Sequence, residues 1–204
     1  MKKNILTILA SLVLALGAFG QGSVVMNNFA SVGGITVNTP GNWYSGVFGM
    51  EVWMLNGTNV PSNINSFNGV EGGIVNAYAN LSADGFHLEH TYSGQTISSI
   101  ESGFINLGQL DMPDVSPANS RVVLALVDWN NTAVSFSAML SSYTGATRAG
   151  MVAFVNPTFT SPHPPVALEG WTQDLLMAIP EPSPFALAGL GCAAWLCWRG
   201  ARPL

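Results

Sequence analysis

The chain has 204 residues, of which 48% are hydrophobic and only 8% are charged. Four of its six basic residues lie in the two end segments. Between positions 21 and 179 this leaves Arg121 and Arg148 against ten acidic residues, a formal net charge of −8 (2 − 10). This region has no basic surface for phosphate contacts, so we expect no binding of nucleic acid. Because no lysine follows Lys3, lysine-based covalent catalysis is also excluded.

The N-terminal segment has the pattern of an export signal. Two lysines follow the initiating methionine, and an apolar run of signal-peptide length, Ile5 to Phe19, comes next. Ala18 and Gly20 are the small residues at positions −3 and −1 of a cleavage site, so we expect signal peptidase to remove residues 1–20 and the mature chain to begin at Gln21. A permanent membrane anchor is the alternative, but the run is shorter than the roughly 20 residues of a spanning helix.

The region that follows is predicted to be a single all-β domain, residues 21–178. Its apolar residues recur with a period of two, and glycine, asparagine, serine and proline separate the segments. Eight predicted strands fall at residues 22–30, 35–38, 47–55, 74–79, 85–92, 121–129, 132–140 and 151–155. We expect an antiparallel β-sandwich, jelly-roll-like, with residues 121–129 at the centre of a sheet and no helix of useful length.

Two groups of residues in this region resemble metal sites. On a strand, His87 and Glu89 share one face whereas His90 points to the other, so the three side chains cannot readily bind one ion. Asp128 opens a stretch of oxygen-bearing side chains of the kind that calcium prefers, but it lacks the glycine and distal glutamate of an EF-hand loop. A strand that ends in an asparagine-rich turn explains Asp128 more simply. We therefore predict no metal and no cofactor.

The sequence does not select a catalytic site. Ten acids allow many carboxylate pairs of the kind that hydrolyse glycosides, but no motif marks one pair. A G-x-S-x-G motif is absent, and His163 lies between two prolines, as expected for a rigid loop. We therefore predict that the protein is not an enzyme.

One pair of aromatic residues is a candidate for carbohydrate contact. Most aromatic residues of the domain are expected to fill the core. Trp43 and Tyr44, by contrast, follow a Pro-Gly-Asn turn and are the pair expected to be exposed. Since jelly-roll folds include lectins, these two side chains are predicted to contact a sugar if the domain binds one.

The C-terminal segment, residues 179–204, combines a proline-bracketed glutamate, an apolar run and two arginines. The run from Phe185 to Trp198 is predicted to form a transmembrane helix of about 21 Å, shorter than the roughly 30 Å of a bilayer's hydrocarbon core. Arg199 and Arg202 would hold its end in the cytoplasm. A buried C-terminal helix is the alternative interpretation. The only cysteines, at positions 192 and 197, lie in this segment, so the domain before it has no disulfide.

The order of these parts resembles the PEP-CTERM sorting signal of Gram-negative bacteria. The matching motif is Pro180-Glu181-Pro182-Ser183, followed by the glycine- and alanine-rich apolar run and the arginines. The resemblance implies that an exosortase recognises Pro180, Glu181 and Pro182 and removes the tail at or near them. One departure is that Gly200 and Ala201 separate the two arginines, which such tails commonly carry as a tight cluster.

The domain itself also loosely resembles β-rich PEP-CTERM proteins without an assigned activity. The similar stretches are residues 22–29, 113–131 and 161–182. The resemblance implies an exported protein that is tethered transiently to the inner membrane, then reaches the cell surface or extracellular matrix, and is associated with exopolysaccharide. We expect a structural or binding role. The alternatives are a secreted polysaccharide-active hydrolase and a carbohydrate-binding module.

Overall fold

The computed structural model describes residues 22–39, 41–65, 73–113, 115, 121–142, 147–160 and 164–178. The predicted signal peptide, its cleavage residues Ala18, Gly20 and Gln21, the predicted sorting segment 179–204 and His163 lie outside these residues. The strands are β1 (Gly22–Asn27), β2 (Ile35–Val37), β3 (Gly46–Asn56), β4 (His87–Ile97), β5 (Asn106–Met112), β6 (Arg121–Trp129), β7 (Ala149–Pro157), β8 (Phe159–Thr160) and β9 (Leu175–Met177). The helices are α1 (Ser62–Asn65), α2 (Gly73–Ala83) and α3 (Phe136–Ser141).

The described part of the chain is mostly β-structure, 47% strand against 15% helix, as the sequence predicts. One sheet is antiparallel with the order β4-β3-β6-β7, and a second is antiparallel with the order β5-β1-β8. Strands β2 and β9 form a short parallel pair. The prediction that residues 121–129 lie at the centre of a sheet is confirmed, because β6 pairs with β3 on one side and β7 on the other.

One hydrophobic cluster joins the facing sides of the two larger sheets. Val122, Leu124 and Leu126 alternate along one face of β6 and contribute to it, together with Val24 of β1 and Met112 of β5. All five of these side chains are buried. Because side chains alternate across a strand, the odd-numbered residues of β6 point to the opposite face of its sheet.

That opposite face is covered by helices, which the sequence did not predict. A second cluster joins Val123 and Val127 of β6 to Ala77 and Leu81 of α2 and to Phe136 of α3. Two predicted strands, residues 74–79 and 132–140, are therefore wrong, and most of both lies in helices. No described helix is long and apolar enough to cross a membrane.

Local sequence explains both errors. A six-residue apolar segment such as 74–79 is too short to distinguish the period of a strand from that of a helix. Over the full length of α2, Ile74, Tyr78 and Leu81 have the spacing of one helix face. Helix α3 begins after Ser135, whose hydroxyl accepts a hydrogen bond from the Ala138 N–H. Serine in this position is a favourable N-cap and identifies the start of a helix.

Candidate functional site

Three aromatic side chains form a row on the surface of the domain, which we call the aromatic ladder: Phe29, Phe104 and Trp43. The Phe29 and Phe104 rings have centroids 5.6 Å apart and planes inclined by 18°. The Phe104 and Trp43 centroids are 6.3 Å apart, with an angle of 21°. The exposed fractions are 54% for Phe29, 42% for Trp43 and 37% for Phe104. Each of the three residues therefore keeps more than a third of its surface accessible to solvent.

The distances define how the rings overlap. Near-parallel rings in van der Waals contact have planes about 3.5 to 4 Å apart, so centroid distances of 5.6 and 6.3 Å require a sideways offset of about 4 to 5 Å. Each ring therefore covers only part of its neighbour's face. The uncovered parts form a stepped apolar surface.

The backbone beneath Trp43 fixes the indole in this row. A Cβ atom at Gly34 would lie 2.7 Å from Trp43 Cζ3, and a Cβ at Gly103 would collide with Trp43 Cε3. Gly103 also has a φ of +80°, a conformation that side chains disfavour. Glycine at these two positions lets the edge of the indole lie directly on the main chain.

Asn28 joins the loops that carry the two phenylalanines. Its side chain is fully buried, and Nδ2 donates hydrogen bonds to the carbonyl oxygens of Gly33 (3.0 Å) and Gly103 (3.1 Å). Its Oδ1 accepts a hydrogen bond from the Ile105 N–H at 2.8 Å. One amide thus fixes the chain next to Phe29 against the chain on both sides of Phe104.

Trp43 and Tyr44, predicted together as an exposed pair, have different environments. Tyr44 is only partly exposed, and its hydroxyl donates to the Val47 carbonyl oxygen at 2.6 Å. Burial, and to a smaller extent the nearby Asp128 carboxyl, raise the pKa of Tyr44 to about 12. Its carbonyl oxygen accepts a hydrogen bond from the Gly103 N–H. Tyr44 therefore supports the ladder from behind, whereas Trp43 belongs to it.

Asp128 lies in the interior of the domain. It is fully buried on the face of β6 that points to the second sheet, and it pairs with Met50 and Gly150. Within the described residues, neither carboxyl oxygen has a hydrogen bond of acceptable geometry. Burial raises the pKa of Asp128 well above its usual value, and the backbone N–H of Trp129 opposes this shift only in part. A buried carboxyl group whose ionisation is opposed by its surroundings is poorly suited to bind calcium.

The histidine-containing stretch occupies the start of β4, an edge strand of its sheet. His87 and His90 are both exposed, and the His90 ring packs edge-on against Tyr92 with centroids 4.4 Å apart. In the ranges that the structure describes, no three His, Cys, Asp or Glu side chains come close enough to hold a metal ion.

The two most buried carboxyl groups do not form a catalytic pair. Glu51 points to the helical face of its sheet, where Oε1 accepts from the Phe136 N–H (2.9 Å) and Oε2 accepts from Trp53 Nε1 (3.0 Å). The Tyr78 hydroxyl is a further hydrogen-bond partner. Asp128 points to the opposite face of the same sheet. A glycosidic bond cannot lie between two carboxyl groups on opposite faces of a sheet.

Sequence reasoning identified one ring of the ladder and missed two. Phe29 follows a buried asparagine at the end of β1, and Phe104 follows a serine- and glycine-rich turn, Ser98–Gly103. An isolated phenylalanine in a polar loop is a weak signal of exposure. The two phenylalanines are 75 positions apart in the chain, so only the tertiary structure shows that they stack.

Comparison with known proteins finds no match: no family model, no curated protein and no solved structure resembles the chain. Arguments about its function therefore depend on the residues of the chain itself.

Proposed function

We propose that this chain is an exported, non-enzymatic protein of the cell surface or extracellular matrix that binds polysaccharide through the aromatic ladder. The observation that supports this most strongly is the stepped row of Phe29, Phe104 and Trp43, each more than a third exposed. The faces of aromatic rings carry partial negative charge and attract the C–H groups of a sugar. Rings that served only to fill the core would be covered.

The proposed architecture for the two facing sheets is the antiparallel, jelly-roll-like β-sandwich. The shared hydrophobic cluster between the sheets supports this proposal. The helical layer on the outer face of the four-stranded sheet is an addition to such a sandwich. The rings of the ladder lie in the loops after β1, β2 and β4, and none of them belongs to the hydrophobic cluster that includes the helices.

A direct test measures retention on polysaccharide. In gels that contain a soluble polysaccharide, we expect the purified full-length chain to migrate more slowly than in plain gels, and Trp43→Ala to abolish the retardation. Leu88→Ala is the matched control, because Leu88 is similarly exposed. Leu88 pairs with Trp53, which lies about 24 Å along β3 from Gly46, the residue of that strand nearest in the chain to Trp43. Loss of retention in both variants, or in neither, contradicts the proposal.

Protein stability separates loss of a contact from loss of the fold. Truncation of a buried tryptophan costs about 3 to 5 kcal/mol. Trp43→Ala is expected to cost less, because Trp43 is 42% exposed to solvent. An unfolding free energy reduced by the full amount would show that Trp43 belongs to the core.

The proposed route to the surface uses signal peptidase, transient membrane association and an exosortase. Support comes from the sequence pattern of Pro180, Glu181, Pro182 and Ser183 with the arginines at 199 and 202. In a host that has an exosortase, we expect Glu181→Ala to accumulate as a membrane-bound, full-length form. Glu169→Ala, which alters an exposed acid of the domain, should be processed normally. If all forms fractionate alike and keep Leu204, the sorting proposal is wrong.

A secreted polysaccharide hydrolase is the alternative from another functional class. It requires two carboxyl groups on either side of the bond to be cleaved. Release of reducing sugar from a polysaccharide that the chain retains would favour this alternative. Retention without release would favour binding alone.

A further inference from the structure

The geometry of the ladder points to a particular class of ligand. Building on the proposed function, we propose that the ladder binds an internal stretch of an extended, uncharged polysaccharide made of equatorially linked pyranoses, and contacts three consecutive sugar units. The proposal follows from the spacing of the rings, the exposure of the middle ring and the charge of the domain.

The ring spacing matches successive sugars along one chain. The two distances between neighbouring centroids, 5.6 and 6.3 Å, are each about the length of one pyranose unit in an extended chain. One sugar therefore lies over each ring, and the next sugar of the chain lies over the next ring. Such a row binds along the chain and has no requirement for a chain end.

The exposure of Phe104 indicates that more than one sugar is contacted. As the middle ring, Phe104 has a neighbour on each side, yet more than a third of its surface stays exposed. A single sugar would cover one ring and leave the other two in water. Three sugars cover all three rings and remove the most apolar surface from water.

Charge selects against anionic polymers. The domain has a formal charge of −8, and Glu101 lies in the turn that leads to Phe104, whose N–H donates to the Glu101 carbonyl oxygen. Arg148, one of the two basic residues of the domain, donates from Nε to Asn38 Oδ1 at 2.9 Å. A polyuronate would be repelled over several ångströms, whereas an uncharged chain would not.

Neutral polar side chains accompany each ring. Asn42 precedes Trp43, Ser31 lies two residues after Phe29, and Ser102 lies two residues before Phe104. Each of the three donates a hydrogen bond to a nearby backbone carbonyl and keeps an oxygen able to accept from a sugar hydroxyl. Apolar surface with a few polar groups is typical of sugar and other small-molecule sites.

The linkage follows from the requirement that one chain reach all three rings. In pyranoses with equatorial substituents, both faces carry axial C–H groups, and equatorial links give an extended ribbon. Each successive sugar then presents a C–H face to the next ring. Axially linked chains wind into a helix and would leave the row after one or two sugars.

The test is a calorimetric titration of the full-length chain, purified in mild detergent, with glucose, cellotriose, cellohexaose, maltohexaose and hexagalacturonate. We expect at least tenfold tighter binding of cellotriose than of glucose, equivalent to about 1.4 kcal/mol or more. From cellotriose to cellohexaose the affinity should change less than about threefold, which is within 0.7 kcal/mol. The axially linked and the anionic hexamers should bind at least tenfold more weakly than cellohexaose.

A variant tests the outer ring. Phe29→Ala should weaken cellohexaose binding about tenfold and leave the already weak glucose binding unchanged, while Leu88→Ala changes neither. Equal affinity for glucose and cellohexaose overturns the inference but leaves carbohydrate binding intact. Equal affinity for cellohexaose and maltohexaose has the same consequence. Tighter binding of hexagalacturonate also overturns it. Absence of binding to every sugar overturns both the inference and the proposed function.

Discussion

Asp128→Asn should change how the stability of the domain depends on pH. The Asp128 carboxyl is fully buried, and burial raises its pKa well above the ordinary value of 3.8. Below pH 3.8 both the folded and the unfolded chain hold this proton, so ionisation of Asp128 takes nothing from the free energy of unfolding. Above pH 3.8 the unfolded chain loses the proton while the folded chain keeps it, and the free energy of unfolding falls. The loss continues until the pH passes the pKa of the folded state.

The size of the effect follows from proton linkage. One proton held only by the folded state lowers the free energy of unfolding by about 1.4 kcal/mol per pH unit in this window. For a domain of this size that is a decrease in Tm of about 3 to 6 °C per pH unit. Asparagine has nearly the same shape and does not titrate, so Asp128→Asn should remove this component of the slope.

Urea denaturation at pH 4, 5, 6 and 7, followed by tryptophan fluorescence, measures the slope. Trp129 and Trp171 are fully buried and report on the core. Asp111→Asn, which alters an exposed residue of β5, is the control and should keep the slope of the unaltered chain. If the free energy of unfolding changes with pH from 4 to 7 by the same amount in Asp128→Asn as in the unaltered chain, then Asp128 is ionised in the folded protein and the reasoning from burial is wrong.

Three further predictions concern the helical face and metal dependence. Glu51→Leu should lower the free energy of unfolding by about 2 to 6 kcal/mol in urea denaturation, because the buried N–H groups of Phe136 and Trp53 each lose their acceptor; a loss under 1 kcal/mol would contradict this role. Gly49→Ala should cost about 1 to 3 kcal/mol or more, since its Cβ would collide with the Trp129 ring, and an unchanged midpoint would refute that packing. Chelation should leave Tm unchanged, because the described residues form no metal cluster; a drop above about 5 °C would indicate a bound ion.

Periodicity predicted the sheets because they depend on local patterns. Residues 121–129 are apolar at nearly every position, which is typical of a strand covered on both faces, and β6 is such a strand. Side chains alternate between the two faces of a strand, which places Asp128 on the face of Val122, Leu124 and Leu126. The burial of Asp128 was therefore predictable, although its position at the strand end suggested a turn. Helices α1 and α3 were missed because they have only 4 and 6 residues, and short windows do not distinguish periods of 2 and 3.6. Helix α2 has 11 residues, but the strand prediction rested on residues 74–79 alone, which is again a short window.

The candidate site was less predictable than the fold because it depends on long-range contacts. A turn motif next to Trp43 marks that residue as exposed, and no comparable motif marks Phe29 or Phe104. The stacking of these rings depends on the hydrogen bond from Asn28 to the Gly103 carbonyl oxygen, across 75 positions of the chain. A single sequence contains no local signal of such a contact.

Backbone pairing holds both Gly22 and Ala178 within the described β-structure. Gly22 is the first residue of β1, the central strand of its sheet, where it pairs with Met112, and Ala178 exchanges two backbone hydrogen bonds with Ala149. Protection of backbone amides from exchange is highest in paired core strands and lowest in mobile loops. The amide hydrogens of Ala149 and Ala178 should therefore exchange with solvent more slowly than those of the exposed turns.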